Sequence, residues 1–384
     1  MKLLGLQLEH FKNYERLSVD LSDKKILILV GKNGHGKTNF LESIVVLALS
    51  KGFSSTALTP LISWSSKEAE TGLPEYFRVL GQVQTSAGRT DLEVGTSNRT
   101  KSLKINGVKT KPYDYIGHLR VVLFTPQDLN MVMLSPQLRR KYINVFLSQI
   151  DPEYLKHLGQ YQAVLKHRNK LLDRLRETGK LDELDYWDDQ LAEYGAYLLW
   201  KRRQVFSSLN QRLSINYEKI SHQAVEFFLE WKKPWPEASL QELHRSFRDY
   251  LESKRSRDIE AGTTCGGPHR EDFVFQMNGR NLANFASRGE CRSAVLSLKM
   301  AEADYMKEVT GETPVVLFDD VFSELDVDRQ KNLLELFEVD QVIISTTHVD
   351  FVPEGAVVWQ VENGTITSRD GDEHKTGGSS CSPL

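Results

Sequence analysis

A glycine-rich loop between an apolar strand and a helix constrains this chain more than any other feature. The stretch GKNGHGKT, residues 31–38, matches the pattern GxxxxGK[ST] and directly follows the apolar run Ile26–Val30. That run has the length and composition of a strand buried on both faces, and residues 39–49 have the composition of a helix. In this setting the loop turns backbone N–H groups toward a phosphate chain. The pattern therefore predicts a nucleotide site on an α/β fold.

We expect the loop and the residue after it to hold the nucleotide. Lys37 carries an ammonium that can reach the β- and γ-phosphates, and Thr38 carries a hydroxyl suited to magnesium. The predicted cofactor-binding residues of this segment are Gly31, Lys32, Asn33, Gly34, His35, Gly36, Lys37, Thr38 and Asn39.

A pair of carboxylates follows another apolar run near the end of the chain. Asp319 and Asp320 come directly after Val315, Val316, Leu317 and Phe318. A magnesium-bound triphosphate needs an acidic ligand at the tip of a neighbouring strand, and Asp319 is our candidate for that metal site together with Thr38. Asp320 would orient or deprotonate the attacking water. The alternative is that both residues only cap a turn or a helix.

Two kinds of pattern divide the chain. Short strand-like runs, including an Asn-Gly hairpin signal at 106–107, dominate the first third, and the α/β pattern returns after residue 262. Between them strand signals vanish, and leucines recur at helical spacing on either side of an interruption near 178–180. We predict one domain from 1–128 and 262–367, an inserted helical subdomain at 129–261 built on a short antiparallel hairpin, and a disordered tail at 368–384.

A second anion-binding surface is predicted far from the first loop. Ser287-Arg288-Gly289-Glu290 leads into a helical segment, and a serine, a glycine and a helix N-terminus together favour an anion. Taken alone, this stretch is weak evidence, because an ordinary helix start has the same composition.

The motifs as a set resemble the ABC-type ATPases, and within them the chain resembles the RecF family of bacterial gap-repair proteins. The resemblance covers nearly the whole chain up to the tail. Its most specific stretches are FKNY (11–14), GKNGHGKTNFLESI (31–44), RRKYINVFLSQIDPEYL (139–155), YQAVLKHRNKLL (161–172), GPHRED (267–272), SRGE (287–290) and FDDVFSELD (318–326). It implies an α/β fold, the ABC-type P-loop ATPase head, with an inserted helical subdomain and with ATP and Mg²⁺ as cofactors.

The resemblance also implies roles for residues that the bare sequence leaves open. Gln127 would be the Q-loop glutamine, a metal and catalytic residue, and His348 would be a catalytic switch residue beside Asp320. Residues 323–326 would form the D-loop. The signature residues Ser287, Arg288, Gly289 and Glu290 would bind the nucleotide of a second copy of the chain. Glu290 departs from the glutamine usual in the family, and we expect docking to survive this change.

Family resemblance further implies an ATP-dependent DNA-binding protein of recombinational gap repair. ATP would close a homodimer on double-stranded DNA or on a junction of double- and single-stranded DNA, and slow hydrolysis by a weak DNA-dependent ATPase would release it. The protein would help to load a recombinase together with RecR. The alternatives are the head of an SMC-like chromosome-maintenance ATPase and, less favoured, the ATP-binding subunit of a membrane transporter. The short helical insertion and the spacing of about 250 residues between loop and signature disfavour both.

Local basic clusters are the candidates for DNA contact, because the net charge of −3 attracts no nucleic acid as a whole. A solvated protein surface is the alternative for each cluster. The candidates are Arg99, Lys101, Lys104, Lys109 and Lys111 around the predicted hairpin, Arg139, Arg140 and Lys141, and Lys166, Arg168 and Lys170.

The remaining features indicate a cytoplasmic protein with reduced thiols. No apolar run approaches the ~18–20 residues of a membrane span, and Glu9 and Lys12 interrupt the position of a signal peptide. Three scattered cysteines lack the spacing of a zinc site. The stretch GPHRED matches no metal-ligand spacing, and we expect it to be structural and near the sheet of the head.

Overall fold

The computed structural model describes residues 1–53, 58–63, 76–97, 100–178, 184–232, 235, 238–322, 327–349 and 351–368. Three of the predictions concern residues outside these ranges: Arg99 as a DNA contact, the D-loop at 323–326 and nearly all of the tail.

The described residues form fifteen strands and nine α-helices. The strands are β1 (Lys2–Phe11), β2 (Tyr14–Asp20), β3 (Ile26–Val30), β4 (Phe77–Thr85), β5 (Gly88–Ser97), β6 (Thr100–Ile105), β7 (Val108–Lys109), β8 (Val121–Phe124), β9 (Phe227–Trp231), β10 (Phe273–Met277), β11 (Arg280–Asn281), β12 (Val315–Asp319), β13 (Val342–Thr346), β14 (Ala356–Glu362) and β15 (Thr365–Ser368). The helices are α1 (Lys37–Leu49), α2 (Pro112–Tyr115), α3 (Leu129–Met133), α4 (Pro136–Ile150), α5 (Pro152–Thr178), α6 (Leu184–Ser221), α7 (Leu240–Ala261), α8 (Arg288–Thr310) and α9 (Val327–Leu336).

The chain divides into two compact units. The first comprises Met1–Asp128 and the chain from Glu302 onward, and the second comprises Leu129–Ala301. The boundary after residue 128 coincides with the predicted one. The structure differs at the other boundary, because residues 262–301 belong to the second unit and not to the first. The reason is that β10 pairs with β9, a strand that the sequence analysis missed within its helical region.

Helix α1 lies between the two sheets of the first unit. It contacts β1, β4 and β5 of an antiparallel sheet ordered β2-β1-β4-β5-β6-β7, and β12 and β13 of the other sheet. Nearly every residue of α1 is therefore buried, as expected for a helix that is apolar on all sides. Gly81 of β4 leaves room for Leu47, since a Cβ there would collide with the leucine side chain. The Asn106–Gly107 hairpin is confirmed, with positive φ at both residues.

The second sheet brings the predicted nucleotide residues to one edge. Its order is β15-β14-β3-β13-β12-β8, and all neighbours except β15 run parallel. Parallel strands end at the same edge of a sheet, where ligands of α/β folds bind. The phosphate loop follows β3, Asp319 and Asp320 stand at the end of β12, Gln127 follows β8, and His348 follows β13.

A helical hairpin forms the centre of the second unit. The ring of His167 stacks on Trp187, and that of His157 stacks on Tyr197, so α5 and α6 run antiparallel as predicted. Helix α7 packs against both. The recurring leucines of α5 are only partly its buried face: Leu172 and Leu175 are buried, whereas Leu155, Leu158 and Leu165 are half-buried. Arg168 and two tyrosines also lie on that face. No helix among the described residues could cross a membrane.

Candidate nucleotide site

The side chain of Lys37 is held among the carbonyls of its own loop. Its Nζ donates to the carbonyl oxygens of Gly31 at 2.6 Å and Lys32 at 3.0 Å. Burial lowers the pKa of Lys37, while the nearby carboxylates of Asp320 and Asp319 oppose that shift. The ammonium thus sits at the centre of the loop, where a phosphate oxygen can take the place of a carbonyl.

Residues far apart in sequence form an oxygen cluster beside this lysine. The hydroxyl of Thr38 donates to Asp319 Oδ1 at 2.8 Å, and the hydroxyl of Ser345 donates to the same oxygen at 2.7 Å. Burial raises the pKa of Asp319, against the effect of these two hydrogen bonds. A hydroxyl and a carboxylate are oxygen ligands of the kind that Mg²⁺ prefers, so the donor set fits that ion. Ser345 was not among the predicted residues, and its only sequence signal is its place near the end of a buried strand.

The backbone directs Asp320 toward the loop. Its φ of 53° lies in the left-handed region, and its N–H donates to the carbonyl and to the hydroxyl of Ser345 at 3.0 and 3.1 Å. The first unit contains a cleft of about 100 Å³ at this point. It is lined by Asn33, Gly34, Gly36, Lys37, Thr38, Asn39 and Asp320. The structure thus brings Asp320 and the phosphate loop to one small polar cleft.

Three groups outside the motif contact the back of the loop. The Asn13 side chain donates to the carbonyl of His35 at 3.1 Å, and so does the backbone N–H of Gly364. The buried hydroxyl of Tyr14 donates to the carbonyl of Gly36 at 3.0 Å. These groups were not among the predicted site residues, although Asn13 and Tyr14 belong to the stretch FKNY that carries part of the family resemblance.

Gln127 and His348 lie at the same sheet edge, and both are exposed. Gln127 belongs to a short 3-10 turn, Pro126–Asp128. The Nδ1 atom of His348 lies 3.0 Å from the hydroxyl of Thr347. Their catalytic roles stay predictions.

The signature residues form the start of α8 in the second unit. The Ser287 N–H donates to the Glu290 carboxylate at 2.7 Å, and the Glu290 N–H lies 3.2 Å from the Ser287 hydroxyl. The hydrogen bonds that the Glu290 carboxylate receives from the backbone and the side chain of Ser287 lower the pKa of Glu290, and the reciprocal pair closes the first turn of the helix. Ser287 and Arg288 are exposed at that turn. Glu290 is therefore a capping residue, a role that glutamine also fills.

Comparison with known proteins identifies the family. Residues 2–367 match the family model described as the RecF/RecN/SMC N terminal domain. The DNA replication and repair protein RecF of Enterococcus faecalis is 38% identical, with 95% of this chain and 98% of that protein covered. The RecF of Latilactobacillus sakei is 37% identical over the same shares of the two chains. This chain belongs to the RecF family.

Solved structures agree with that membership. A structure of the recombination mediator protein RecF with ATPrS has a TM-score of 0.86 at 30% identity, with 96% of this chain and 98% of that chain covered. An SMC head bound to the C-terminal winged-helix domain of ScpA has a TM-score of 0.54 at 15% identity, with 96% and 98% covered, and it shows a shared fold alone. The fold of this RecF-family chain is thus the ABC-type ATPase head, as predicted.

The basic hairpin of this RecF-family chain offers fewer free cations than its sequence indicated. Lys101 Nζ donates to the carbonyl and hydroxyl of Ser50, and burial lowers the pKa of Lys101 to about 8. Lys104 pairs with Glu93 at 2.9 Å. Lys109 and Lys111 are exposed and stay candidates for DNA contact.

Two arginines predicted to contact DNA are structural residues. Arg168 is fully buried between Asp188 and Asp258, at 2.7 and 2.8 Å. Arg139 is buried, and its guanidinium donates two hydrogen bonds to the carboxylate of Asp272. Both are therefore removed from the DNA-binding candidates, because their charges are satisfied inside the second unit. Half-buried Arg140 donates to the carbonyl of Glu271, whereas the exposed Lys141, Lys166 and Lys170 stay candidates.

The stretch GPHRED lies in the second unit, not at the sheet of the head as we expected. His269 lies between the hydroxyl of Tyr161 at 2.6 Å and the carbonyl of Thr264 at 3.0 Å. Glu271 pairs with the buried Arg202 at 2.5 Å. The imidazole of His269 and the carboxylates of Glu271 and Asp272 are thus engaged with side chains of α5, α6 and α4.

Proposed function

We propose that this RecF-family chain binds ATP with Mg²⁺ at residues 31–38 and in that state forms a homodimer on DNA. The observation that carries this proposal is the 2.8 Å bond between Thr38 and Asp319, which joins the loop to a carboxylate 281 residues away. A relative of the same fold is named as RecF with bound ATP, with a TM-score of 0.85 and 31% identity. The DNA would be double-stranded or a junction of double- and single-stranded DNA, and RecR would be the partner in gap repair.

Each cleft residue has a defined task in this proposal. Lys37 exchanges the carbonyls of Gly31 and Lys32 for phosphate oxygens. Thr38 and Asp319 would hold Mg²⁺, which supplies neutralisation of phosphate charge when bound. Asp320 orients a water molecule for attack on the γ-phosphate, because it lines the cleft while Asp319 is engaged with the Thr38 hydroxyl. A short carboxylate with limited reach is compatible with slow turnover.

Two candidate phosphate-binding surfaces in one chain support the proposed dimer. The loop belongs to the first unit and the signature turn at Ser287 and Gly289 to the second. In the proposed dimer, each signature turn meets the γ-phosphate held by the other copy. ATP therefore stabilises the dimer, and hydrolysis removes the contact that holds it.

Sedimentation with and without ATP, on the full chain, tests the proposal. We expect the wild type to dimerise with ATP, Asp320→Asn to remain dimeric after ATP addition, and Lys37→Ala to stay monomeric. Ser287→Arg should bind ATP yet fail to dimerise. Ser253→Arg is the matched control, because Ser253 is an exposed serine of the same unit outside the signature.

Two results would contradict the proposal. One is a Ser287→Arg variant that dimerises as well as Ser253→Arg. The other is double-stranded DNA that binds with the same affinity whether or not ATP is present, since a clamp closed by ATP must gain affinity for DNA.

A further inference from the structure

The conformation of the phosphate loop is held by residues that lie outside it. Asn13 and Tyr14 stand at the turn between β1 and β2, and Gly364 stands at the turn between β14 and β15. All three donate to carbonyls of the loop, at His35 or Gly36. Two hairpin turns from opposite ends of the chain therefore meet at the one peptide segment that precedes α1.

The direction of these carbonyls determines where the adjoining N–H groups point. A trans peptide is planar, and its C=O and N–H point in opposite directions. The carbonyl of His35 is held by Asn13 and by Gly364, so the N–H of Gly36 is directed away from both. The carbonyl of Gly36 is held by Tyr14 and by the N–H of Phe40, which directs the N–H of Lys37.

Close packing leaves this segment little freedom to rotate. A Cβ at Gly36 would collide with the Asn13 amide and would lie 3.0 Å from the Tyr14 hydroxyl. A Cβ at Gly364 would collide with the backbone carbonyl of Asn13. Asn39 Nδ2 donates to Asn13 Oδ1 at 2.7 Å and thereby orients the Asn13 amide. Side-chain and backbone atoms of both hairpin turns thus pack against the loop at Gly36. We therefore expect that the His35–Gly36 peptide cannot flip unless one of these turns moves.

We propose that Asn13, Tyr14 and the Gly364 N–H are positioning residues for nucleotide binding. They hold the N–H groups of Gly36 and Lys37 toward the phosphates before the ligand arrives. The inference rests on the proposed function, because it concerns the same phosphate site.

The physical effect is preorganisation. A glycine-rich loop has many accessible conformers, and the apparent dissociation constant rises as the binding-competent fraction falls. Loss of one buried hydrogen bond to a loop carbonyl should lower the ratio of competent to other conformers about tenfold, and the dissociation constant rises by about that factor once the competent conformers become the minority. The ligands affected are those that carry phosphates, whatever else they contain.

Two tyrosines of the first unit provide a matched comparison. Tyr14 and Tyr115 are both fully buried, and each donates its hydroxyl to a backbone carbonyl at an end of α1, Gly36 for Tyr14 and Leu47 for Tyr115. Burial raises the pKa of both phenols. Tyr14→Phe and Tyr115→Phe therefore delete the same kind of bond at opposite ends of one helix.

Calorimetric titration of the full chain with ADP and with inorganic tripolyphosphate tests the inference. Tyr14→Phe should raise the dissociation constants of both ligands about tenfold, and Tyr115→Phe should change them less than about twofold. Asn13→Asp is a second variant of nearly unchanged shape, and it should weaken both ligands because a carboxylate cannot donate to His35. Lys37→Ala serves as the reference for loss of the site.

The outcomes separate the inference from the proposed function. If wild type binds and Tyr14→Phe binds equally well, or if both tyrosine variants weaken binding equally, the positioning role is overturned while the nucleotide site stands. If Lys37→Ala binds both ligands as tightly as wild type, the nucleotide site itself is wrong and the inference falls with it.

Discussion

Replacement of Arg168 by methionine should destabilise the second unit severely. The guanidinium is fully buried, and it pairs with Asp188 on α6, with Asp258 on α7 and with the hydroxyl of Thr264. Arg168→Met keeps a long apolar side chain but leaves two buried carboxylates without their shared cation.

The magnitude follows from what remains around each carboxylate. Asp188 keeps a bond from Arg255 at 2.7 Å, whereas Asp258 keeps bonds from the uncharged Cys265, whose backbone N–H donates to it at 3.0 Å. Removal of one partner from a buried ion pair costs about 3–5 kcal/mol, because the other charge stays in a poorly solvated site. Because Asp188 keeps its bond with Arg255, we expect Arg168→Met to lower the free energy of unfolding by about 3 kcal/mol, the lower end of this range. Asp258→Asn in the Arg168→Met background should restore part of that loss, because it removes the unpaired buried charge.

Urea unfolding followed by tryptophan fluorescence measures this effect. Trp187, Trp200, Trp231 and Trp235 all lie in the second unit. With a slope of about 2 kcal/mol per molar urea, the midpoint should fall by about 1.5 M.

Arg248→Met is the matched control. Arg248 pairs with three carboxylates, but each of these is 61% exposed, so its loss should cost less than about 1 kcal/mol. Equal midpoint shifts for the two variants would refute the assignment of Arg168 as a structural residue.

Two further outcomes follow from the geometry. Gly364→Ala should lower the free energy of unfolding by at least about 2 kcal/mol more than Gly355→Ala in urea titrations: both glycines have φ above 70°, but a Cβ at Gly364 would strike the Asn13 carbonyl and one at Gly355 meets nothing within 4 Å. Equal losses in the free energy of unfolding would show that only the backbone strain of a positive φ matters at Gly364, and not the collision with Asn13. Burial lowers the pKa of His269 to about 4 from 6.5, so between these values the unfolded chain binds a proton that the folded chain excludes. Stability should therefore fall by about 2 kcal/mol from pH 7 to pH 5, and His269→Gln should flatten this dependence; an unchanged slope would argue against the buried neutral imidazole.

Much of the nucleotide site was predictable from local sequence. The loop at 31–38, its preceding strand and its following helix are contiguous, and glycine, lysine and threonine act there through short-range geometry. Asp319 and Asp320 were found in the same way, from an apolar run that ends in carboxylates. The Asn106–Gly107 turn was also predicted, because positive φ is a property of those residues themselves.

Long-range contacts account for what the sequence analysis missed. Arg168 and Lys166 look alike on a helical stretch, and only the packing of α6 and α7 makes one a core residue and leaves the other in solvent. Strand β9 is a brief apolar run that becomes a strand because it pairs with β10, more than forty residues later.

The same distinction separates the nucleotide loop from the residues that hold it. The motif at 31–38 predicts which groups can bind a phosphate, because these groups belong to residues that are neighbours in the chain. The hydrogen bonds of Asn13 and Gly364 to one carbonyl join positions about 350 residues apart, and no local pattern encodes a meeting at that distance. Short segments of sequence thus determine which chemical groups the site contains. The orientation of the loop's peptide groups is determined only in the folded protein, where two distant hairpin turns contact the loop.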